Sequence, residues 1–390
     1  MPGALTDLTV AARLGLRELG RAARGQRERA PDLDAFRTTL ASALAAAPRG
    51  VVAEHAWIRL PSNEPPWRDS GITLRPGEEL SYFAAGRAVA SAALDVWIGP
   101  ETQLWARIGE TGPIRSSSRA SNTLRSESGG RVYFGNYFPN DWKDASGARL
   151  QDDRVYAGVT GELCILAVRW TGSAADGLAA LAAAGDPLGC FASERERLLL
   201  GDPSPPGWRH LWHIGDTEIF RAEKGPNAEP TLACRCEGDV GILQRDAPFA
   251  LRPGTQLTWR WRVDALPGLV REDSVPSHDY LSLAVEFQNG LDITYYWSQE
   301  LPVGSAFWCP LPNWKHREFH VVIRSGAGGL GAWHSEQRDL HADALRYFGA
   351  HPGDVVRVWL IAVSVFKRQP GCCAYAGIEL RNGSEKLAVL

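Results

Sequence analysis

Apolar positions in the first 50 residues recur at helical spacing. Leucines and alanines return every three or four residues in two runs within 4–47, and Pro31 separates the runs. Asp32 precedes the second run, where its short side chain can accept hydrogen bonds from the free N–H groups of a helix start. The pattern predicts two helices. The helices form either a packing arm over a sheet or, because arginines are frequent here, a surface that docks a partner.

From about residue 51 the period of the pattern changes to two. Short segments alternate apolar with polar or small residues, and turn signals such as PGEE, GETGP and ESGGR separate them. The predicted strands are 72–74, 79–84, 88–98, 104–108, 131–134 and 163–170. Several short strands of this kind are typical of a β-sandwich or jelly roll. We therefore predict one such domain over 51–172.

The β pattern returns after an interruption. Residues 173–200 are rich in alanine and predict a helical connector, and GDPSPPG at 201–207 predicts a stiff linker. The next set of predicted strands is 257–263, 281–287, 293–298, 318–323 and 355–365. The predicted fold class is mainly β: two β-sandwich or jelly-roll domains at 51–172 and 208–390, with a helical arm at 1–50 and a connector at 173–207.

Composition limits the classes of partner. The chain has 390 residues and a net charge of −3, which leaves no basic surface for nucleic acid or an anionic membrane. No apolar run reaches the length of a membrane span, and Asp7 and Arg13 interrupt any signal-peptide core. We therefore expect a cytoplasmic protein with no nucleic-acid or membrane partner. The seven cysteines are odd in number and partly adjacent, so reduced thiols are expected.

Residues about 255–382 carry an ordered set of motifs: LTWRWRV, HDYLSLAVEF, ITYYWS, FHVVIRSG and WHSEQRDLHADALRYFG. This string resembles a widespread bacterial domain family of unknown function, DUF3047. The family has an acidic pair before the second of these strands, where this chain has His278 and Asp279. It has aspartates near its end, where this chain has SVFKRQ at 364–369. The positions that match its W-x-x-E-x-R element and the following helix are Trp333, Glu336, Arg338, Asp339 and Asp343.

Residues about 65–171 are similar to the galactose-binding bacterial lectins. Those lectins hold calcium through a tyrosine, an aspartate and paired asparagines, but the matching positions here are Ala90, Gly158 and Val159, which offer no side-chain oxygen. The resemblance implies the fold and not the calcium, so we expect no cofactor and no metal. The loop at 136–144 still offers Asn140, Asp141 and Trp142, a mixture of polar groups and an aromatic ring that suits a sugar.

The strands of the second domain predict a candidate site. If their apolar positions face the core, alternation places a polar set on the other face. That set includes Arg260, Arg262, Glu286, Tyr296 and His320. These residues could bind a polyhydroxylated or acidic ligand beside Trp333. They could also transfer protons, with Glu286 or His320 as base and Tyr296 as acid, or with His278 and Asp279. The alternative is a solvated face with cross-strand ion pairs.

Three other motifs have simpler interpretations. The segment WHSEQRDLHAD at 333–343 has metal-ligand residue types but the wrong spacing, and it predicts solvated charge on a short helix ended by Gly349. The pairs Cys234/Cys236 and Cys372/Cys373 are either a thiolate site or buried small side chains. GAGGLG at 326–331 lies between predicted strands and is interpreted as a loop.

The sequence thus favours a binding protein for a carbohydrate or another small molecule. The alternative is an enzyme with acid/base residues in a pocket of the second sandwich or between the domains. Such an enzyme would be a glycan hydrolase or lyase, or a cyclase acting on a hydrophobic metabolite. A third class is a structural module that forms a homo-oligomer or binds a partner through its N-terminal helices.

Overall fold

The computed structural model describes residues 4–64, 66–116, 119–150, 152–201, 204–226 and 228–390. The chain is mainly β, as predicted, and it divides into two compact units. The N-terminal unit comprises 21–202 and 212–216, and the C-terminal unit comprises 1–20, 203–211 and 217–390. None of the described helices combines the length and the apolar character that a crossing of a lipid bilayer requires.

The predicted helices are present near the start of the chain and between the two sets of strands. Asp32 begins the second of them, because its Oδ1 accepts hydrogen bonds from the N–H groups of Asp34 and Ala35 at 3.1 and 2.9 Å. The N-terminal pair and the alanine-rich connector are confirmed as helical. The described α-helices are α1 (Ala4–Ala23), α2 (Leu33–Ala46), α3 (Pro100–Gln103), α4 (Ala174–Ala184), α5 (Cys190–Leu200) and α6 (Leu340–Phe348).

The N-terminal unit contains two antiparallel sheets. Sheet A has the order β1-β8-β3-β4, with β6 also paired to β3, and sheet B has the order β2-β7-β5. The strands are β1 (Val52–Pro61), β2 (Trp67–Leu74), β3 (Glu79–Ser91), β4 (Val96–Ile98), β5 (Leu104–Ile108), β6 (Ser121–Arg125), β7 (Gly130–Asn136) and β8 (Thr160–Trp170).

Alternation along β3 and β8 gives sheet A two apolar faces. Tyr82 and Ile165 lie in one buried cluster with side chains of sheet B, whereas Phe83 and Leu166 lie in another with α2, α4 and α5. Gly177 allows α4 to come close to the strands. A Cβ atom at this position would lie 2.1 Å from a ring carbon of Trp170. Sheet A is therefore covered by sheet B on one side and by helices on the other.

The C-terminal unit also contains two sheets. Sheet C has the order β10-β11-β20-β13-β18, with β21 also paired to β20, and sheet D has the order β16-β17-β15-β14-β19-β12-β9. The strands are β9 (Trp208–His210), β10 (Phe220–Lys224), β11 (Pro230–Cys236), β12 (Val240–Phe249), β13 (Gln256–Ala265), β14 (Tyr280–Phe287), β15 (Asp292–Ser298), β16 (Ala306–Trp308), β17 (Glu318–Ser325), β18 (Trp333–Asp339), β19 (Val355–Val363), β20 (Gly371–Asn382) and β21 (Glu385–Ala388).

The core of this unit is formed by the predicted apolar faces. Trp259 and Trp261 of β13 lie in one buried cluster with Leu283 and Val285 of β14. The same cluster takes up three of the four paired cysteines, Cys234, Cys236 and Cys373, so their interpretation as small buried side chains is confirmed. The GAGGLG segment forms a loop between β17 and β18, as expected.

The WHSEQRDLHAD segment departs from its prediction in one respect. It forms β18 and the start of α6, and Gly349 ends the helix with a φ of 73°, as expected. However, Asp343 is buried and not solvated. Its carboxylate accepts hydrogen bonds from Arg338 Nε and Nη2 at 2.8 and 2.7 Å and from the Tyr295 hydroxyl at 2.8 Å. The Asp343 carboxylate therefore links α6 to β18 and to the core, and it does not face solvent as expected.

Candidate functional site

Sheet D has one apolar face and one polar face. On β14, β15 and β17, the apolar alternate positions enter the core between the sheets. Most of the intervening positions carry hydroxyl, carboxyl or imidazole groups, and each of these is less than a tenth exposed. The residues of this polar face are Tyr280, Ser282, Glu286, Asp292, Thr294, Tyr296, Ser298, Glu318 and His320. The face is therefore covered and not solvated, although one cross-strand ion pair of the kind that the alternative prediction expected, Glu286 with Arg357, is present.

The arginines expected on the same face lie on the other sheet. Arg260 and Arg262 belong to β13 of sheet C, where they pair with Glu229 and Asp264 at 2.6 and 3.1 Å. Both guanidinium groups lie over the Trp333 ring, 5.5 and 5.8 Å from its centroid. The predicted common face of Arg260, Arg262 and Glu286 does not exist, since alternation assigns a residue to a face of its own strand and not to a sheet.

Four potential metal ligands meet at one end of the polar face. Glu318 and His320 share a face of β17, His278 lies just before β14, and Cys309 follows β16. Their exposures are 3%, 0%, 0% and 1% in that order. One ligand atom from each lies within 4.8 Å of all the others. We call these four residues the His–Cys–Glu cluster; in the described part of the chain, it is the group of this kind that could hold a metal ion.

The His278 side chain is fixed in one tautomer by its backbone contact. Its Nδ1 lies 2.6 Å from the carbonyl oxygen of Glu272, which can only accept, so Nδ1 carries the hydrogen. Burial, together with the nearby His320, lowers the pKa of His278 to about 3, and the ring is neutral. The lone pair on Nε2 therefore faces Cys309, whose Sγ is 3.3 Å away. Burial and the Glu318 carboxylate raise the pKa of Cys309, so its thiol donates to Nε2.

Glu318 is held by hydroxyl groups on one side and faces an imidazole on the other. Its Oε1 accepts a hydrogen bond from the Tyr280 hydroxyl at 3.0 Å and lies 3.2 Å from the Thr294 hydroxyl. Its Oε2 lies 3.5 Å from Nε2 of His320. Burial by itself raises the pKa of Glu318, but the neighbouring His320 imidazole outweighs that effect and holds this pKa below its usual value. The cluster thus contains an ionised carboxylate.

His320 is enclosed by aromatic rings. Phe307 is stacked on it with centroids 5.2 Å apart, and Tyr280 and Tyr296 meet it edge to face at 5.0 and 5.6 Å. Neither ring nitrogen makes a hydrogen bond of acceptable geometry with a residue that the structure describes. Burial, with Glu272 nearby, raises the pKa of Tyr296, so its hydroxyl stays protonated. A buried imidazole without partners is costly, and it marks this position as unusual.

Two predicted catalytic residues are engaged elsewhere. Glu286 Oε2 accepts hydrogen bonds from Arg357 Nη1 and Trp359 Nε1 at 2.9 and 3.0 Å. Asp279 accepts the backbone N–H groups of Phe366 and Lys367 at 3.0 and 2.6 Å, and burial raises its pKa to about 7. Of the five candidates, the structure brings together His278, His320 and Tyr296. It gives Glu286 and Asp279 structural partners.

The loop proposed for sugar in the N-terminal unit is also occupied by packing. Trp142 is buried and contacts Trp67 and Tyr137 at ring distances of 5.7 and 4.3 Å. Asp141 accepts a hydrogen bond from the Tyr156 hydroxyl at 2.8 Å. The side chain of Asn140 lies outside the described part of the structure. Trp142 therefore offers no exposed ring on which a sugar could stack.

Sequence reasoning missed two members of the cluster, Cys309 and Glu318. For Glu318 a signal exists, because Glu318 and His320 are two residues apart in a predicted strand and must share a face. For Cys309 no local signal exists. Its position beside His278 depends on the pairing of β16 with β17 and of β15 with both β14 and β17.

Comparison with known proteins confirms one of the two resemblances at the level of sequence. Residues 208–379 match the family DUF3047, described as a protein of unknown function. No protein of curated function matches the chain.

Solved structures that resemble the chain include carbohydrate-binding and glycan-cleaving β proteins. A PllA-like lectin, the N-terminal domain of EclA, is 14% identical; the match covers 31% of this chain and 99% of that one, with a TM-score of 0.22. The xyloglucanase domain of NopAA from Sinorhizobium fredii is 10% identical, with coverages of 46% and 96% and a TM-score of 0.28. An endo-1,4-β-xylanase from Trichodrema reesei is 11% identical, with coverages of 42% and 93% and a TM-score of 0.21. Likenesses this weak carry no argument about the activity of this chain.

Proposed function

We propose that the unit matching DUF3047 binds a small polyhydroxylated molecule, a carbohydrate in the first instance, at the polar face of sheet D. The hydroxyl groups of Ser282 and Tyr296 have no hydrogen-bond partner among the described residues there, and the Glu318 carboxylate lies on the same face. The rings of Tyr280 and Phe307 flank them. Sites for polar small molecules combine such a few directed polar groups with apolar and aromatic walls.

The observation that carries this proposal is a set of buried polar atoms without partners. Both ring nitrogens of His320 and the hydroxyl of Ser282 make no hydrogen bond to a described residue, although both side chains are fully buried. Each such group costs about 1–3 kcal/mol. A ligand that supplies donors and acceptors at these atoms recovers that free energy on binding.

Access to the face requires movement. Every residue of the polar face is covered. In the His–Cys–Glu cluster, His278 and Cys309 come from segments outside the strand that carries Glu318 and His320. The His278 segment is tied down by its contact with Glu272 and by a hydrogen bond from the Ser277 hydroxyl to the Arg271 carbonyl at 2.7 Å. We therefore expect ligand association to be slower than diffusion-controlled docking, because these ties must open first.

A second candidate function is acid–base catalysis on the same ligand, as in a glycan hydrolase or lyase. The observation that favours it is the contact between Glu318 Oε2 and His320 Nε2 at 3.5 Å, with the protonated hydroxyl of Tyr296 beside the same ring. A carboxylate that orients an imidazole is a common arrangement for a general base, and a neutral phenol can serve as the acid. The polar lining favours a polar substrate over the hydrophobic metabolite of a cyclase.

The binding proposal is tested with the purified full chain against a panel of monosaccharides, uronic acids and oligosaccharides. Thermal shift identifies binders, and calorimetry then gives the dissociation constants of wild type, Ser282→Ala, Tyr296→Phe and, as control, Trp333→Ala. We expect each of the first two variants to bind about 2- to 10-fold more weakly, since each loses one hydrogen bond, and the control to bind as wild type does.

Two results would overturn this proposal. The first is the absence of any binder in the panel. The second is a sugar whose affinity falls in Trp333→Ala and not in Ser282→Ala or Tyr296→Phe, which would place its site on sheet C. If a sugar binds as expected, chromatography of the oligosaccharides after incubation with the protein shows whether they are also cleaved.

A further inference from the structure

We propose that the His–Cys–Glu cluster binds one divalent metal ion of the zinc class, with ligands from His278, Cys309, Glu318 and His320. This inference goes beyond the proposed function. It concerns the same face of sheet D, but it does not depend on sugar binding.

The spacing of the ligand atoms fits a small four-coordinate ion. Zinc–nitrogen and zinc–sulfur bonds of about 2.0–2.3 Å set the edges of a tetrahedral site at roughly 3.3–3.8 Å. In the structure, Cys309 Sγ is 3.3 Å from His278 Nε2, and Glu318 Oε2 is 3.5 Å from His320 Nε2. No ligand pair is more than 4.8 Å apart. A contraction of about 1 Å at the widest pair therefore completes the site.

The surroundings orient the ligands as an outer shell does around a bound metal. The Nδ1–H group of His278 donates to the Glu272 carbonyl, so that Nε2 presents its lone pair to the cluster. The Tyr280 hydroxyl holds Glu318 Oε1, so that Oε2 points to the other ligands. Metal-bound histidines and carboxylates are held by outer hydrogen bonds of this type.

The unpartnered His320 is an independent observation that points to an ion. It is fully buried, and its ring nitrogens have no hydrogen-bond partner among the described residues. It also lies close to two atoms that commonly ligate cations, a carboxylate oxygen and a sulfur. On binding, Cys309 releases its thiol proton to solvent; the dication then neutralises the thiolate and the Glu318 carboxylate in this buried site, and it takes a free lone pair of His320.

The ligand types select the ion. Two imidazoles and a thiolate favour zinc and its neighbours among the transition metals, whereas magnesium and calcium require oxygen ligands. The zinc-finger type of site uses only cysteine and histidine, whereas catalytic zinc sites commonly include one carboxylate. Displacement of Glu318 Oε2 would open a coordination position for an oxygen atom of the small molecule that we propose binds at the polar face.

The test uses the full chain, purified without chelator and without a histidine tag. Metal content is measured by mass spectrometry, and zinc affinity of the metal-free protein is measured by competition with a chromophoric chelator. Cys309→Ser is compared with Cys372→Ser, a half-buried thiol outside the cluster. Cobalt(II) is added as a spectroscopic probe, because a thiolate ligand gives a near-ultraviolet charge-transfer band and a tetrahedral site gives intense visible bands.

We expect wild type and Cys372→Ser to bind zinc stoichiometrically. Cys309→Ser should bind it at least about 100-fold more weakly, since loss of an outer-shell partner alone costs up to that factor. The cobalt charge-transfer band should be absent in Cys309→Ser. Circular dichroism checks that the variant is folded, and His278→Gln provides a second test if it is not.

Absence of saturable zinc binding by wild type would overturn the proposal, as would undiminished binding in both Cys309→Ser and His278→Gln. If zinc binds as expected and no sugar binds, the metal site stands and the proposed function fails. If a sugar binds equally well to the metal-free protein and no metal is bound, the reverse holds.

Discussion

Glu286 accepts a hydrogen bond from the Trp359 indole at 3.0 Å, across the pairing of β14 with β19. Its carboxylate also accepts a hydrogen bond from Arg357. A residue that alternation presents as a free base is thus engaged through its Oε2 atom by two neighbours in the sheet. Glu286 therefore belongs to the charged groups that hold sheet D together, whereas Glu318 belongs to those that we propose serve a ligand.

The Glu286→Gln variant should lose stability but keep the functional site. The amide preserves the shape of the side chain but weakens its charge-assisted bond to Arg357, whose side chain is about a third exposed. We expect a loss of about 1 kcal/mol, or a fall of about 2–4 °C in the unfolding midpoint of the C-terminal unit. Thermal unfolding measures the midpoint. A loss of ligand binding with unchanged stability would contradict this assignment.

Asp279→Ala should destabilise the segment that follows β19. The backbone N–H groups of Phe366 and Lys367 then lose their acceptor, and Lys367 is buried. Two such losses cost about 2–4 kcal/mol. Denaturant unfolding compares this variant with Glu385→Ala, an exposed carboxylate, which should change stability by less than about 0.5 kcal/mol. Equal stabilities of the two variants would show that Asp279 is not a structural residue.

Asp343→Ala should be among the more damaging changes in the C-terminal unit. The substitution leaves the buried Tyr295 hydroxyl and the guanidinium of Arg338 without their carboxylate. We expect a loss of about 2–4 kcal/mol. Asp343→Asn, which can still accept the Tyr295 bond, should lose less. If the two variants are equally stable, the hydrogen bond from Tyr295 has no measurable weight.

Trp142→Ala should affect the stability of the N-terminal unit and no sugar site. The ring is buried against Trp67, Trp105 and Tyr137. Removal of such a side chain costs about 3–5 kcal/mol, through lost contacts and the cavity that remains. Tryptophan fluorescence during thermal unfolding follows this change. A variant as stable as wild type but defective in sugar binding would restore the interpretation of this loop as a binding surface.

Much of the fold could be predicted from the sequence because it follows from local periodicity. The apolar residues of β13 and β14 lie in the core as alternation requires, and Asp32 caps its helix as its position suggests. Such features depend on neighbours a few residues away, which the sequence displays directly.

The candidate site could be predicted only in part, because it depends on pairings between distant strands. Alternation correctly placed Tyr296 and His320 on one face, but it could not tell that Arg260 belongs to the other sheet. Nor could it show that the face is covered, or that Cys309 reaches His278 across 31 residues. Those facts arise from tertiary packing and have no local signature.

The most direct test of the account compares two carboxylates on the same polar face. Glu318→Gln and Glu286→Gln are purified in parallel with wild type, and the zinc bound per chain is measured by mass spectrometry. We predict that wild type and Glu286→Gln retain stoichiometric zinc and that Glu318→Gln loses most of it, because only Glu318 lies within the His–Cys–Glu cluster. Equal zinc contents in the two variants would contradict the assignment of the cluster as the functional centre of this unit.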